Sequence, residues 1–442
     1  MDFNALYLRT KFWINDFFKG SPIGGPYRNI KAILEGANGK ALREEALEKM
    51  LTHAQMHTKF YSKYHTFNLQ DYPVMNKALL IENADALRVL DADIPGQQGE
   101  VFIQRTSGST GTPFAVPQDT RKRIRRIADL KYFNHIVGFK SHEVLFHLRI
   151  WNQWQNKSQK QIKKENIYPF NIADMSESHL KELCEQLIAT KAVAIRAYSS
   201  SFDLLSKYVM NHPEYKFPYL KIGIAGSESL GDDTRANVKK YLGCEIISQY
   251  ADEECGILAQ ERIPTSEKDN VMYMNHADYY FEFLKLESDE PAEFGELARI
   301  VITDLYNYAH PMIRYDCGDV GVMLRPDKYS NGFPVLGKLY GRRLDVCFTT
   351  SGEAFSPMTI ARTLKHYDAI RQWQFIQNAE KEYSVKLILT EGTDINSYMK
   401  EAVSVLKETL GEDAVINLLQ VNDIPVMNSG KRKAVVNEWK KL

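Results

Sequence analysis

The chain has 442 residues, enough for two or three domains with substantial hydrophobic cores. Its 56 basic and 56 acidic residues give a formal net charge of zero, which excludes a global field that would attract nucleic acid or an anionic membrane. The first residues lack the basic start and apolar block of a secretory signal, and no apolar run reaches the length of a membrane span. With five scattered cysteines and no Cys-x-x-Cys pair, we expect reduced thiols and a cytoplasmic location.

Residues 1–100 are predicted to be mostly helical. Within 41–60, apolar residues recur at a spacing near 3.6 while charged residues fill the opposite face, which is typical of an amphipathic scaffold helix. A dense basic run at 121–126 lies in a second helical pattern that continues to Ile136. We interpret this run as a solvated helix face rather than a nucleic-acid patch, because no interleaved aromatic residues would stack on bases.

From residue 180 onward, short apolar segments alternate with helical patterns, which predicts a mainly parallel sheet flanked by helices. Residues 271–340 are rich in β-branched and aromatic residues broken by turns, which indicates a strand-rich part. The rest of the chain reads as a compact unit of strands and helices. We therefore predict an α/β protein with a large N-terminal domain at 1–341 and a small, mobile α+β domain at 342–442.

The most informative segment lies between two short apolar runs and consists of glycine and hydroxyl residues: Thr106, Ser107, Gly108, Ser109, Thr110 and Gly111, followed by Thr112 and Pro113. The glycines permit positive φ and close approach of the backbone to a ligand, so successive N–H groups can face an anion. The hydroxyl groups add further donors. The order fits neither the Walker loop nor the dinucleotide-binding pattern, and on composition alone the alternative is a plain surface connection.

The string Thr-Ser-Gly-Ser-Thr-Gly-Thr-Pro resembles the phosphate loop of the adenylate-forming superfamily, which includes acyl-CoA synthetases and peptide-synthetase adenylation domains. Further segments follow in the order that this resemblance implies. By it, the backbone of Gly226, Ser227 and Glu228 would pack on adenine, and the ring of Tyr250 would stack on the same base. Glu254 would help to hold magnesium.

The remaining landmarks implied by the resemblance bind the sugar and carry the moving parts. Asp319 corresponds to the aspartate that accepts hydrogen bonds from both ribose hydroxyls, and Arg342 resembles the arginine that contacts ribose and phosphate. Leu344 and Asp345 fall at the hinge, with Leu344 standing where an acidic residue is usual. Lys431 resembles the mobile lysine that the small domain carries into the site.

Within the superfamily, the chain is most similar to the phenylacetate–CoA ligase family and its capsular-polysaccharide relatives, labelled coenzyme F390 synthetases. This resemblance implies activation of a carboxylic acid by ATP as an acyl-adenylate, release of pyrophosphate, and transfer to coenzyme A. It also implies Mg²⁺ as the metal, and homodimers, which are common in that family. The acyl pocket would include Trp151 and Tyr198, whose rings suit an aromatic or apolar acid.

The chemistry of this reaction explains the residue types. Attack of a carboxylate on the α-phosphate concentrates negative charge on phosphate oxygens, which magnesium at Glu254, the loop N–H groups and Lys431 would stabilise. No step needs an acid–base side chain, so we assign the histidines no catalytic role and expect positioning to carry most of the barrier reduction.

Three neighbouring residues depart from the superfamily pattern. Ala251 replaces a glycine, and Asp252 and Glu253 replace a small and a hydroxyl residue, which adds negative charge beside the phosphates. One alternative is therefore a nucleotide-binding protein that has lost catalysis, although the retained Lys431 argues against it. Another is an adenylating transferase whose acceptor is a sugar amine or hydroxyl, or a carrier thiol, in capsule biosynthesis.

Overall fold

The computed structural model describes residues 3–105, 114–151, 157–172, 175–263, 270–342, 346–355, 360, 364, 369–390, 396–424 and 435–439. These residues form a helical N-terminal segment, an 11-stranded sheet with helices on both faces, and a four-stranded C-terminal sheet. Within the same ranges, no helix combines the length and the hydrophobicity that a membrane span requires.

The N-terminal segment is helical, as predicted. Its helices are α1 (Phe3–Phe18), α2 (Gly24–Glu35), α3 (Gly39–His57), α4 (Lys77–Glu82) and α5 (Ala84–Leu87). The predicted apolar face of α3 is confirmed, because Leu47, Leu51 and Ala54 are buried. These residues share one hydrophobic cluster with Tyr250 and other residues of the large sheet, so the helical segment belongs to the main core.

A hairpin precedes the large sheet. Its strands are β1 (Phe102–Arg105) and β2 (Ala115–Gln118), which pair antiparallel with Arg105 opposite Ala115. The hairpin flanks residues 106–113, the predicted phosphate loop, which lies outside the described residues.

The large sheet is built from the middle of the chain. Its strands are β3 (Leu145–Arg149), β4 (Ile167–Asn171), β5 (Ala194–Tyr198), β6 (Ile222–Gly226), β7 (Glu245–Asp252), β8 (Gly256–Glu261), β9 (Met272–Met274), β10 (Tyr279–Leu284), β11 (Leu297–Asp304), β12 (Tyr315–Leu324) and β13 (Val335–Arg342). The order across the sheet is β10-β11-β12-β13-β9-β8-β7-β6-β5-β3-β4. Strands β3 to β7 run parallel, whereas β8 to β13 pair antiparallel with their neighbours. The strand-rich part predicted from residue 271 therefore extends the parallel sheet and does not form a sheet of its own.

Helices cover both faces of the parallel half. They are α6 (Thr120–Ile136), α7 (Gln159–Glu165), α8 (Glu177–Ala189), α9 (Ser199–Asn211) and α10 (Asp232–Asn237), followed by a π-helical turn at Val238–Leu242. Strand β6 is buried on both faces, which suits a central strand of a parallel sheet. Gly223 lets α9 approach this strand closely, since a Cβ there would lie only 2.9 Å from the ring of Phe202.

The C-terminal residues form an α+β unit. Its elements are β14 (Cys347–Phe348), β15 (Ala354–Phe355), β16 (Ile370–Gln377), β17 (Glu382–Leu389), α11 (Asn396–Leu410), β18 (Val415–Gln420) and β19 (Val435–Asn437). The sheet order is β18-β17-β16-β19. One hydrophobic cluster joins residues of β16 and β17 to Leu406 and Leu410 of α11, so this unit has a core of its own.

Helix α6 buries part of the basic run at 121–126 in the core. The prediction of a solvated face is wrong for Lys122 and Arg125, which are buried. Lys122 Nζ lies 2.7 Å from Asp304 Oδ2 and donates to the Tyr279 hydroxyl at 2.8 Å. Arg125 Nε lies 2.6 Å from Asp278 Oδ1. A basic run that spans more than one helical turn must direct some of its residues inward, and here those residues form ion pairs with buried carboxylates.

Lys122→Met should lower the free energy of unfolding by about 3–5 kcal/mol, because it leaves Asp304 buried without its counter-ion. The matched control is Lys31→Met, since Lys31 pairs with Glu35 at 3.7 Å on an exposed surface. Removal of such a surface pair should cost at most about 1 kcal/mol. Urea denaturation of both variants measures the difference, and equal losses would contradict a stabilising role for the buried pair.

Candidate active site

The carboxyl ends of the parallel strands lie along one side of the sheet, called the carboxyl edge here. Residues in register form a row along it. Tyr198 of β5 lies opposite Gly226 of β6, which lies opposite Gln249 of β7. The register of β3 with β5 extends this row to Arg149, the last residue of β3. Ligands of open parallel sheets bind outside the carboxyl ends of the strands, so this edge is the candidate site.

The turn after β6 presents backbone to the edge. Ser227 has φ of 64°, in the left-handed region. A Cβ on Gly226 would meet only the carbonyl oxygen of Gln249, at 3.6 Å, so the space above this residue is open. The Glu228 side chain turns towards α9, where its Oε2 accepts the Ser200 N–H at 2.8 Å. A planar base has room to lie on this backbone, and the predicted adenine contact stays a prediction.

Tyr250, Asp319 and Arg342 come together from three different strands. The Tyr250 hydroxyl donates to Asp319 Oδ2 at 2.7 Å and lies 3.4 Å from Cys317 Sγ. Arg342 is opposite Asp319 in the register of β12 with β13. Burial raises the pKa of Asp319, while the Tyr250 hydrogen bond and the charge of Arg342 lower it. The residues predicted to bind base and ribose therefore form one cluster.

Asp252 closes the turn between β7 and β8. Its Oδ1 accepts hydrogen bonds from the backbone N–H of Cys255 at 2.5 Å and of Gly256 at 3.3 Å. Burial and the neighbouring carboxylate of Glu254 raise the pKa of Asp252 to about 7. Asp252 is therefore partly protonated near neutral pH and has a structural part in the turn, so this departure from the superfamily pattern adds less than a full negative charge.

The same turn holds both strands of the β1–β2 hairpin. Gln104 of β1 donates from Nε2 to Glu253 Oε2 at 2.9 Å, and Gln118 of β2 donates from Nε2 to the backbone oxygen of Glu254 at 2.7 Å. Arg126 of α6 donates from Nη1 to the backbone oxygen of Glu253 at 3.0 Å. These bonds fix the two strands that flank the predicted phosphate loop beside the Glu254 turn.

Two cationic side chains act on the Glu254 carboxylate. Burial raises its pKa, and the charges of Lys77 and Arg342 oppose that rise. Lys77 begins α4, and its Nζ lies 5.9 Å from the ring centroid of Phe114, the first described residue after the loop. The sequence pattern does not single out Lys77, because a lysine after a helix-capping asparagine is an ordinary surface feature.

Glu254 also fits the expected magnesium site. Mg²⁺ commonly binds through one or two carboxylates together with substrate phosphates and water. Within the described residues, the Glu254 carboxylate receives a hydrogen bond only from its own backbone N–H, which leaves lone pairs for a cation. No group of three or more acidic, histidine or cysteine side chains in the described ranges would hold a metal ion by itself.

The predicted pocket residues Trp151 and Tyr198 lie at the same edge. Trp151 is half-buried, and its Nε1 donates to the backbone oxygen of His147 at 3.1 Å. The guanidinium carbon of Arg149 lies 5.2 Å from the Trp151 ring centroid. Burial raises the pKa of Tyr198, and the charge of Arg149 opposes that rise. Arg149 therefore lies beside the two predicted pocket residues, which the sequence does not indicate because a strand pattern alone does not say which face is a site.

Some predicted site residues lie outside the described ranges. They are the loop residues Thr106, Ser107, Gly108, Ser109, Thr110 and Gly111, the hinge residues Leu344 and Asp345, and Lys431. Their contributions stay predictions from the resemblance.

The fold matches solved structures of adenylate-forming ligases. A 2-hydroxyisobutyryl-CoA ligase in the postadenylation state, in complex with R3-HIB-AMP, has a TM-score of 0.68 at 16% identity over 93% of this chain and 92% of that chain. The anthranilate CoA ligase AuaEII in complex with anthranoyl-AMP has a TM-score of 0.54 at 12% identity, over 75% and 65%. The amide bond synthetase McbA from Marinactinospora thermotolerans has a TM-score of 0.52 at 13% identity, over 75% and 66%. The chain therefore has the adenylate-forming ligase fold.

The C-terminal unit is similar to a known domain family. Residues 347–438 match the family model of the CapK C-terminal domain. No curated protein matches the sequence significantly. The fold and this domain together confirm the resemblance to the adenylate-forming superfamily that the motifs indicated.

Asp252→Asn should remove a pH dependence of stability while it keeps the turn, because the amide oxygen can still accept the Cys255 and Gly256 N–H groups. The folded protein holds a proton on Asp252 between the ordinary value of 3.8 and about 7, a range in which the unfolded chain has lost it. The contribution of this residue to stability is therefore present at low pH and lost as pH rises through that window.

The measurement is the Tm of wild type and variant at about pH 5 and about pH 7.5 in a chelator-containing buffer. The decrease between the two pH values should be smaller for Asp252→Asn than for wild type. Asp85→Asn, at an exposed residue of α5, is the matched control and should behave as wild type. An unchanged decrease in Asp252→Asn would refute a titrating carboxyl at this turn.

Proposed function

We propose that the protein activates a carboxylic acid with ATP and transfers the acyl group to coenzyme A. The observation that carries the proposal is the convergence of Tyr250, Asp319 and Arg342 at the carboxyl edge of the sheet. Glu254 lies beside them on the turn that holds the strands flanking the glycine and hydroxyl loop. This set supplies an aromatic face, acceptors for hydroxyl groups and positive charge, which are the features that a nucleotide requires.

In this proposal, the nucleotide lies between the β6 turn and β12. Adenine stacks on the Tyr250 ring and packs on the backbone at Gly226. The Tyr250 hydroxyl occupies one position on Asp319 Oδ2 and so orients that carboxylate, whose remaining lone pairs accept the ribose hydroxyls. Arg342, opposite Asp319, contacts ribose and phosphate. The base and sugar are thus held before the phosphates react.

The first half-reaction displaces pyrophosphate. A carboxylate oxygen of the acid attacks the α-phosphorus, and the bond from that phosphorus to the bridging oxygen of pyrophosphate breaks. The N–H groups of 106–111 and the ammonium of Lys431 stabilise the charge that develops, with Lys77 as a further cation near Glu254. Magnesium, when bound at Glu254, supplies charge neutralisation on the phosphates. The protein contributes position and electrostatics, and no side chain has to transfer a proton.

The second half-reaction transfers the acyl group. The sulfur of coenzyme A attacks the acyl carbon, and AMP departs with the oxygen that linked it to that carbon. The product is an acyl- or aryl-CoA thioester, as the resemblance to phenylacetate–CoA ligases implies. The match of residues 347–438 to the CapK C-terminal domain supports a second candidate, in which the acceptor is a sugar amine or hydroxyl, or a carrier thiol, in capsule biosynthesis. McbA, an amide bond synthetase with the same fold, supports an amine as such an acceptor.

Pyrophosphate release tests the proposal. The acids are phenylacetate and other aryl acids, fatty acids and amino acids, each with and without coenzyme A. Release that requires one acid and accelerates with coenzyme A would establish the ligase and its acid. Release that coenzyme A does not accelerate would favour the second candidate. No release with any acid, in protein shown to bind ATP, would contradict acid activation.

Lys431→Ala should slow pyrophosphate release at least ~100-fold, because it removes an ammonium that stabilises charge in the transition state. The affinity for ATP should change little, since the proposed binding site for base and ribose is intact. Lys381→Ala is the matched control in the same domain, because Lys381 forms an exposed ion pair with Asp413 at 2.6 Å. Wild-type activity of the Lys431→Ala variant would contradict the proposed mechanism.

Tyr250→Phe removes the hydroxyl and keeps the ring, so it tests the contribution of the hydroxyl alone. ATP affinity, measured by calorimetry, should fall by about tenfold or less, because one hydrogen bond to Asp319 is lost and the stacking face is kept. Tyr250→Leu should lose more affinity. Tyr273→Phe, which removes a hydrogen bond of 2.7 Å to exposed Asp327, is the matched control. Unchanged affinity in Tyr250→Leu would place the adenine elsewhere.

A further inference from the structure

Within the described residues, two arginines near the predicted acyl pocket have no carboxylate partner. Arg149 ends β3 at the carboxyl edge, and Arg196 lies two residues deeper on β5, opposite His147. Alternate residues of a strand share a face, so both arginines lie on the face that packs on α6. Arg196 Nη2 donates to Asn134 Oδ1 of α6 at 3.0 Å, and its buried Nε has no hydrogen-bond partner among the described residues.

Four other arginines with mostly buried side chains are paired with acids. They form the ion pairs Arg125–Asp278, Arg235–Glu261, Arg299–Asp316 and Arg314–Glu282. Each of these pairs has an N–O distance of 3.0 Å or less. Within the described residues, neither Arg149 nor Arg196 forms an ion pair. An uncompensated charge away from water is costly, so the buried guanidinium of Arg196, together with the half-buried Arg149, is a candidate for binding an anion.

The charges near the two arginines come from a few side chains. Burial, together with the charges of Arg196 and Arg149, lowers the pKa of His147 to about 3, so its imidazole is neutral. Burial lowers the pKa of Arg196 to about 10, and this guanidinium is still charged at neutral pH. The acids that act on nearby Tyr198 are Glu228 and Glu253.

Both of those acids have partners of their own. Glu228 accepts the Ser200 N–H at 2.8 Å, and Glu253 accepts from the Gln104 amide at 2.9 Å. Within the described residues, neither acid forms an ion pair with Arg149 or Arg196, and the aromatic rings of Trp151 and Tyr198 lie near Arg149. This combination differs from the apolar or aromatic pocket that the two rings suggest when the sequence is considered alone.

We propose that the acid activated at this site carries a second anionic group, remote from the reacting carboxylate, and that Arg149 and Arg196 bind it. The proposal rests on the proposed function, whose acid it narrows to dianionic compounds. From β7, which carries Tyr250, to β3, which carries Arg149, the row crosses three strand spacings, or about 14 Å. A short chain or one ring fits between the nucleotide and the guanidiniums. A guanidinium fork binds carboxylate or phosphate, so either can be the second group.

The test compares acids that differ only at the remote end. Adipate and terephthalate are each paired with their monomethyl esters, 4-phosphonobutyrate represents a phosphorus anion, and phenylacetate represents an acid without a second charge. Binding is measured by calorimetry in the presence of Mg²⁺ and α,β-methylene-ATP, which blocks adenylation. Pyrophosphate release with ATP is measured separately on the same acids. A preference for adipate or terephthalate identifies carboxylate as the second group, and a preference for 4-phosphonobutyrate identifies phosphorus anions.

At least one dianion should bind wild type about 10- to 100-fold more tightly than the compound without its remote charge, the range expected for a charge-assisted hydrogen bond. Arg149→Gln and Arg196→Gln should abolish this preference, and Arg196→Lys should keep part of it. Arg88→Gln, at an arginine that is 64% exposed, is the matched control and should preserve the preference. Arg149 is half-buried at the edge, so its variant tests the proposal even if Arg196→Gln fails to fold.

Failure of this proposal and failure of the proposed function give different results. Equal binding of dianions and monoesters, or a preference that survives Arg149→Gln, would overturn the second anionic group whether or not pyrophosphate is released. An arginine-dependent preference without pyrophosphate release from any acid would overturn acid activation and leave the anion site standing. Release that is fastest with phenylacetate and insensitive to Arg149→Gln would keep the ligase and reject the dianionic substrate.

Discussion

The hydrogen bond from the Tyr250 hydroxyl to Asp319 joins the two halves of the central sheet at the candidate site. Tyr250 lies on β7, the last of the parallel strands, and Asp319 lies on β12 among the antiparallel strands. The parallel half supplies the edge where a ligand can bind, and the antiparallel half supplies a carboxylate and the guanidinium of Arg342. Because neither half contains the whole set, the site depends on strand pairing between segments that are far apart in the sequence.

Buried charge has two distinct arrangements around that edge. Behind it, Lys122 and Arg125 are matched with Asp304 and Asp278 at short distance, so their charges hold α6 to the sheet. Such buried ion pairs fix the position of the helix more than they add stability over an apolar core. This suits α6, because Arg126 of the same helix also donates to the backbone oxygen of Glu253. Beside Trp151, by contrast, Arg149 forms no ion pair within the described part of the chain. The first arrangement builds the scaffold, and we propose that the second binds an anionic group of a ligand.

Local patterns predict much of this molecule, and contacts between distant segments account for the rest. The apolar spacing of α3 and the apolar segment that forms β6 give the right elements, because helix and strand periods are local properties. The resemblance to superfamily motifs indicated Gly226, Tyr250 and Asp319, whose roles stay predictions. The sequence does not indicate the inward direction of Lys122, since a basic helix pattern does not show which acids pack against it. The extension of the sheet by β8 to β13 is likewise a matter of pairing between distant segments, and so is the proximity of Lys77 to Glu254.

Two cysteine thiols lie at the candidate site, where the proposed reaction would form an acyl-adenylate. Cys317 lies beside the Tyr250 hydroxyl, and Cys255 ends the turn that Asp252 closes. Burial raises the pKa of both thiols well above the usual range, so both stay protonated at neutral pH. A thiolate, and not a thiol, is the effective nucleophile. In the proposed reaction, protonated thiols would not compete with an incoming acceptor for the mixed anhydride, and we expect these cysteines to react slowly with alkylating agents and peroxide.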